Sequence, residues 1–356
     1  MRLLLLFLAA FSGHFAIAQD VNQITVNDFQ PVSIYKTPQT KITKAKFPVI
    51  DMHSHNYAKT DAEVDEWVKM MDRLGIAKTM ILSYSTGAAF DSAIQKYSRY
   101  KDRFDVWCGF DYTGYEKPGW QDHAVAELER CYKKGAKGVG ELGDKGLGEL
   151  YSKPTRGYGL HIDDPRMKPL IKKCGELNMP INIHVSEDEW MYLPPDSTND
   201  GLMNAAKWHV DMTVEGKLGH DELVKTLENA VGDNPGTTFI AAHLANNCAN
   251  LEMLGTLFDK YKNLYADIAA RYGELAPVPR HVKKFMEKYS DRLLYGTDMG
   301  IDEHMYRTTF RILESADEHF YELGLFDYRW ALYGLDLNDA TLRKIYSANA
   351  KKILSR

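Results

Sequence analysis

Two histidines two residues apart, His53 and His55, close the apolar run FPVIDM that begins at Phe47. Side chains at positions i and i+2 of a strand point the same way, so both rings face one side. Convergent imidazoles at the end of an apolar strand make poor core and a good half of a metal site. The other half has to come from elsewhere in the chain. His184 closes the run PINIHV, His243 closes TTFIAAH, Glu141 sits in AKGVGEL and Asp298 closes RLLYGTD. Any one of these alone reads as a hydrogen-bonded core histidine or a capping aspartate. Six at strand ends do not read as packing, because buried imidazoles and carboxylates cost free energy unless a metal or hydrogen bonds satisfy them.

The elements that must position these residues follow from the apolar pattern. Eight strand-like runs, FPVIDM, AKTMILSY, FDVWCGF, AKGVGEL, PINIHV, TTFIAAH, NLYADI and RLLYGTD, alternate with amphipathic segments. In one of these, Thr60 to Leu74, Thr60 and Glu63 form a capping box, and Val64, Trp67, Met71 and Leu74 recur at helical spacing. Another runs from Asp164 to Leu177, with Pro165 at the first helical position. Continuous apolar strands alternating with helices predict a parallel sheet covered by helices. Eight units over roughly 250 residues predict a (β/α)8, or TIM, barrel with extra helices at the C-terminal end. In such a barrel the segments after the strands share one face, so all six residues point to one mouth.

Two connections exceed simple turns: 143–162 after the fourth strand and 186–219 after the fifth. Long loops in a compact domain carry function or move, and these two are expected to wall a substrate pocket. Trp190, Tyr192 and Trp208 in the second could stack on a sugar or an aromatic ring, or simply pack the loop onto the rim. Lys145, Asp267 and Arg271 lie near strand ends where they could hold a substrate carboxylate or hydroxyl. As single charges they read first as surface or loop residues.

Taken together, the HxH of His53 and His55, the histidines ending the fifth and sixth strands and the aspartate ending the eighth resemble the amidohydrolase superfamily. DDPRMKPLIKKCGELNMPINIHV, FIAAHLANN, RLLYGTDMG and the closing IYSANAKKIL are similar to its amidohydrolase-2 branch. The resemblance spans most of Phe47 to Leu354. It implies that His53, His55, His184 and Asp298 bind a divalent metal, usually zinc, and that His243 polarises the substrate or binds a second ion. The chemistry of the residues agrees, since three imidazoles and a carboxylate suit Zn²⁺ or a similar ion. Such an ion lowers the pKa of a bound water to about 7, and Asp298 can take its proton and pass it to a leaving group. Glu141, in GVGELG, resembles a carboxylate that bridges two metals in some relatives, TatD-like nucleases among them. Its other reading is a carboxylate that orients one of the histidines from behind.

The bulk of the chain narrows the function. A net charge of −5 with both signs mixed gives no basic stripe for nucleic acid, so the expected partner is a small molecule, with self-association left open. Residues 1–18 read as a signal peptide: Arg2, an apolar stretch too short to span a bilayer, and AIA at Ala16 to Ala18 as the cleavage site. Residues 19–45 then form an extension before a barrel at 46–356, and the mature protein is expected in the periplasm or outside the cell. Cys108, Cys131, Cys174 and Cys248 are too few and scattered for a disulfide framework. Four buried thiols are expected, with a bridge between Cys131 and Cys174 as the alternative. The reading is an exported metal-dependent hydrolase of an amide, ester or lactone. The alternatives are a metal-dependent non-oxidative decarboxylase and, less well matched in charge, a TatD-like nuclease.

Overall fold

The computed structural model describes residues 20–326 and 328–355, so the proposed signal peptide lies outside the described residues. Eight parallel strands follow one another in sequence order: β1 (Val49–Ser54), β2 (Ile76–Ser85), β3 (Phe104–Cys108), β4 (Val139–Asp144), β5 (Ile181–Val185), β6 (Phe239–Ala241), β7 (Leu264–Asp267) and β8 (Leu293–Leu294). Each coincides with one of the eight runs read from the sequence. The ring is drawn together between β8 and β1, where Met52 N–H donates to Tyr295 O at 2.9 Å and Asp298 N–H to His53 O at 2.8 Å. Gly296 permits this approach, because a Cβ there would stand 2.8 Å from the Cβ of His53. The architecture is a (β/α)8 barrel.

Helices α1 (Asp61–Leu74), α2 (Gly87–Tyr97), α3 (Trp120–Lys134) and α4 (Lys168–Glu176) follow the first four strands. Next come α5 (Leu202–Trp208), α6 (His220–Asp233), α7 (Leu251–Lys260), α8 (Tyr272–Leu275), α9 (Pro279–Lys288) and α10 (Glu303–Glu314), then the C-terminal α11 (Asp339–Arg343) and α12 (Asn349–Leu354). Thr60 caps α1 by accepting from Glu63 N–H at 3.2 Å. The expected reciprocal bond is displaced by one residue, since the Glu63 carboxylate accepts from Lys59 N–H at 2.6 Å. Pro165 opens a 3-10 turn (Pro165–Met167) that runs into α4 instead of starting the α-helix itself.

Two apolar clusters divide the core. Ile50, Met52, Met80, Leu82, Trp107, Ile240, Tyr265 and Leu294 fill the barrel interior, and Ala350 and Ile353 of α12 close its lower end. The larger cluster joins the outer strand faces to the helices. A register shift between Asp51 and Ser54 breaks the alternation at the end of β1. It lets His53 turn toward the rim directly after Met52 has faced the interior.

The extension lies against the segment after α10: Thr40 donates from N–H and Oγ1 to Asp317, both at 2.7 Å. All four cysteines are free and buried, with no bridge between Cys131 and Cys174. Among the described residues no helix is long and apolar enough to cross a membrane.

Candidate metal centre

Three histidines are fixed from behind so that one ring nitrogen faces inward. His53 Nδ1 donates to Asp267 Oδ2 at 3.0 Å, His55 Nδ1 to Leu82 O at 2.9 Å and His243 Nδ1 to Ala269 O at 2.8 Å. Each Nδ1 must be the donor, because its partner is a carboxylate or a carbonyl. In its neutral form each ring therefore turns an Nε2 lone pair to the barrel axis, the tautomer a metal requires. Asp267 does more than orient His53. Its fully buried carboxylate also accepts from Asn182 Nδ2 at 2.9 Å and from the N–H groups of His243 at 3.0 Å and Ala269 at 3.1 Å. His243 through Asn246 hold φ between 53° and 58°, a run of left-handed residues that these bonds pin in place.

The inward atoms form two overlapping groups whose members lie within 4.8 Å of one another: His53, His55 and Asp298, and His53, Glu141 and His243. Asp298 Oδ1 stands 3.0 Å from His55 Nε2 and 3.7 Å from His53 Nε2. Glu141 sits at the centre. Its Oε1 is 3.2 Å from His184 Nδ1, 3.3 Å from His243 Nε2 and 3.6 Å from His53 Nε2, while its Oε2 is 3.5 Å from His55 Nε2. His184 turns its Nε2 away toward Glu187, at 3.5 Å.

These residues fit divalent ions. The Nε2 atoms of His53 and His184 are buried with no hydrogen-bond partner among the described residues. Their nearest carboxylate oxygens, Glu141 Oε1 at 3.6 Å from His53 Nε2 and Glu187 Oε2 at 3.5 Å from His184 Nε2, stand at or a little beyond the roughly 3.0–3.5 Å that separates two ligand atoms on one ion with bonds of about 2.1 Å. Charge points the same way. Burial pulls the His53 imidazole down, yet Asp267, Glu141 and Asp298 outweigh it and hold its pKa up at about 10. Burial pushes the Asp298 carboxyl up, and the hydrogen bond from His55 with the charges of His53 and His55 brings it down to about 2. The rim thus has surplus negative charge that a cation neutralises.

Beside the centre, His184, His243 and Asp298 open onto a cavity of about 140 Å³. Its other walls include Lys145, Glu187, Trp190, Arg271, Phe326 and Tyr328. Lys145 is ion-paired to Glu187. Arg271 is buried, with Nε 2.9 Å from Asp188 Oδ2 and 3.1 Å from Asn246 Oδ1. Tyr328 donates to Glu274 from the same side.

A family profile described as amidohydrolase matches residues 39–356. The chain belongs to the amidohydrolase family. No curated protein sequence matches it. Among solved structures, an uncharacterized TIM-barrel protein from Bordetella bronchiseptica aligns over 87% of this chain and 99% of its own, at 13% identity and a TM-score of 0.54. A 2,6-dihydroxybenzoate decarboxylase from Rhizobium aligns over 87% and 99%, at 14% identity and a TM-score of 0.54. A 5-carboxyvanillate decarboxylase from Novosphingobium aromaticivorans, complexed with manganese and 4-hydroxy-3-methoxy-5-nitrobenzoic acid, aligns over 90% and 100%, at 14% identity and a TM-score of 0.51. At such identities these likenesses speak for the fold.

In this member of the family all six strand-end residues meet at one mouth, as their positions in the sequence imply. His184 departs from the expected grouping: it faces Glu141 and Glu187, apart from His55 and Asp298. Asp267 and Arg271, which read first as surface charges, are buried; Asp267 ends β7 inside the ring, and Arg271 is enclosed by Asp188 and Asn246. The loop after β4 supplies only Lys145 to the cavity wall. Phe326 and Tyr328, from the segment after α10, supply a wall that no motif announced. Glu187 and Asp188 lie two and three residues beyond the fifth-strand run, and their distance from His184 in sequence was the one available signal for them.

Proposed function

We propose that the protein is a metal-dependent hydrolase that opens an amide, ester or lactone bond in a small polar compound, with Glu141 and the histidines around it as the residues that would hold two divalent ions. The observation that carries this reading is the position of the Glu141 carboxylate, with one oxygen or the other within 3.6 Å of a ring nitrogen of all four histidines. Six donors exceed what one tetrahedral ion takes, and a carboxylate between two groups of histidines suits a two-ion clamp. When bound, such ions supply Lewis acidity and a water that is nucleophilic at neutral pH. Asp298, kept ionised, takes the proton of the attacking water and returns it to the leaving group. Tyr57 donates to the backbone carbonyl of Asp298 and holds the carboxylate's position. His184 and His243 serve the second ion, and Trp190 lines the substrate's path. Zinc is the proposed ion, because the set is rich in imidazole. Residues 1–18 support export, which would place the substrate outside the cytoplasm.

Decarboxylation of an aromatic acid is the second reading. It is favoured by the cavity's size, close to the roughly 150 Å³ void that holds benzene in an engineered core, and by the two decarboxylases among the similar structures. Turnover of ring-sized lactones, esters and N-acyl acids by metal-loaded protein in H2¹⁸O separates the two. Hydrolysis places the label in the product acid. Release of CO2 with solvent deuterium on carbon, and no label uptake, would replace the first reading by the second.

A further inference from the structure

The cavity wall that Phe326 and Tyr328 supply stands on a loop with a narrow neck. Phe320 and Leu332 exchange backbone hydrogen bonds at 3.0 and 2.7 Å, and Gly334 N–H donates to Asp317 O at 2.7 Å. The chain therefore enters and leaves the loop through two paired limbs. At the mouth the fit is close. Tyr328 lies so tightly over Gly273 that a Cβ there would stand 2.1 Å from its ring. Trp330 Nε1 donates to Gly273 O at 2.8 Å, and Asn204 Nδ2 to Phe326 O at 3.3 Å. A wall packed to this tolerance changes shape when its base moves.

The N-terminal extension clasps that neck from outside. On the outgoing limb, Thr40 gives both its N–H and its hydroxyl to Asp317, whose side chain is only 3% exposed. Thr37 Oγ1 donates to Glu318 O at 3.1 Å, and Ser33 Oγ lies 3.2 Å from His319 Nδ1. On the returning side, Arg329, next to Tyr328, donates from Nη1 to Phe29 O at 2.9 Å. The hold is chiefly polar, since Val32 is 85% and Ile34 80% exposed. A segment whose task was to complete the core would bury those side chains. Closer to the barrel the extension has separate anchors: Arg307 Nη1 donates to Ile42 O and Lys46 N–H to Glu314 Oε1, both at 2.9 Å. A change at Thr40 thus opens the clasp and leaves the anchors in place.

We propose that the extension is a strap that sets what the cavity accepts, with Thr40 as a positioning residue: through Asp317 it holds the neck of the loop, and through the neck it holds Phe326 and Tyr328 in the arrangement that makes the cavity ring-sized. Among the described residues the strap lines no part of the cavity itself. It acts through population. A molecule whose wall stands away from the mouth contributes no binding, so ligand affinity scales with the fraction of molecules whose loop is in place. Ligand affinity therefore depends on a segment outside the barrel, while metal binding, which uses strand-end residues alone, does not. This role presupposes that the cavity is the substrate pocket, as in the function proposed above.

The experiment uses the full chain, loaded with metal. Thr40→Pro removes the N–H and the hydroxyl together and leaves Asp317 its bond from Arg311 Nε at 2.7 Å, whereas Thr40→Ser keeps both donors. Phenol, a neutral ring matched to a cavity of about 140 Å³, is the probe, titrated by NMR without turnover. Thr40→Pro should weaken phenol about tenfold, as when the competent fraction falls to roughly one in ten. Hydrogen exchange at the Phe326 and Tyr328 amides should quicken, with strand amides and metal content at wild-type values, and Thr40→Ser should behave as wild type in every readout. Thr37→Val combined with Ser33→Ala should move the same readouts the same way to a smaller degree, and decides the matter if Thr40→Pro does not fold. Phenol affinity that opening the clasp leaves unchanged, exchange that rises in the strands as much as in the loop, or a loss that Thr40→Ser shares would overturn the strap. A wild-type protein that binds no phenol would overturn the ring-sized pocket and the strap's role with it. None of these outcomes bears on hydrolysis, which the isotope experiment decides.

Discussion

The two ends of the barrel are built from the same strands and obey opposite rules. At the lower end Ile50, Met52, Met80, Leu82, Trp107, Ile240, Tyr265 and Leu294 exclude every charge, and α12 seals them. At the mouth, within three residues of the strand ends, His53, Glu141, His184, His243 and Asp267 are nearly as deeply buried and almost wholly polar. The lower end is stabilised by apolar area removed from water. The mouth is held by directed bonds, chiefly those of Asp267, and carries buried nitrogens with no protein partner. Stability and chemistry are thus separated along the strand axis.

Metal removal should give the largest effect of all and confine it to the mouth. Chelation is expected to abolish turnover and lower the melting temperature, and adding Zn²⁺ or Mn²⁺ back should restore both. Elemental analysis of the loaded protein should find up to two ions, and Glu141→Gln should reduce the count to one. A count of one that Glu141→Gln leaves unchanged would end the bridging role.

Trp107→Ala should damage the lower end alone. A fully buried ring is lost, so unfolding free energy should drop by about 3–5 kcal/mol. Metal content per folded molecule should stay at the wild-type value. A loss of metal in proportion to the loss of stability would show that the two ends are not independent.

Asp267→Asn sharpens the contrast from the other side. The amide can present an N–H where His53 Nδ1 now donates, which favours the tautomer with its proton on Nε2, facing the ion. Metal affinity should fall about ten- to hundredfold, the range for a lost orienting carboxylate. Competition with a chelator of known affinity measures it, and an unchanged affinity would remove Asp267 from that role.

The smallest effect belongs to neither end. Lys225 and Lys260 hydrogen-bond Glu228 on the helical surface and lower its pKa from 4.5 to about 2, against a smaller opposing effect of burial. A depressed folded pKa stabilises above the unfolded value and loses that contribution as pH falls from about 4.5 toward 2. Glu228→Gln should flatten this acid limb by less than about 1 kcal/mol, since the lysines are exposed and screened. Denaturant titrations across that pH range test it.

Much of this was legible without coordinates because it depends on local pattern. All eight strands, their parallel order and the mouth on which His53, His55, Glu141, His184, His243 and Asp298 meet follow from apolar periodicity and from residues that fall at strand ends. Local chemistry was less secure where neighbours compete for one group: Glu63 turned to Lys59, and Pro165 opened a 3-10 turn.

What only the tertiary structure decided is which groups face each other across the ring. Asp267 and Arg271 are single charges in the sequence, and nothing within several residues of either shows that it is enclosed. Their partners, His53 and Asp188, are 214 and 83 positions away and arrive by closure of the barrel. The same closure places Glu141 among four imidazoles, turns His184 toward Glu187 and brings Phe326 and Tyr328 to the cavity from beyond the last strand. Periodicity states which side of a strand a residue takes; distance and tautomer depend on atoms that only the folded chain brings within a few ångströms.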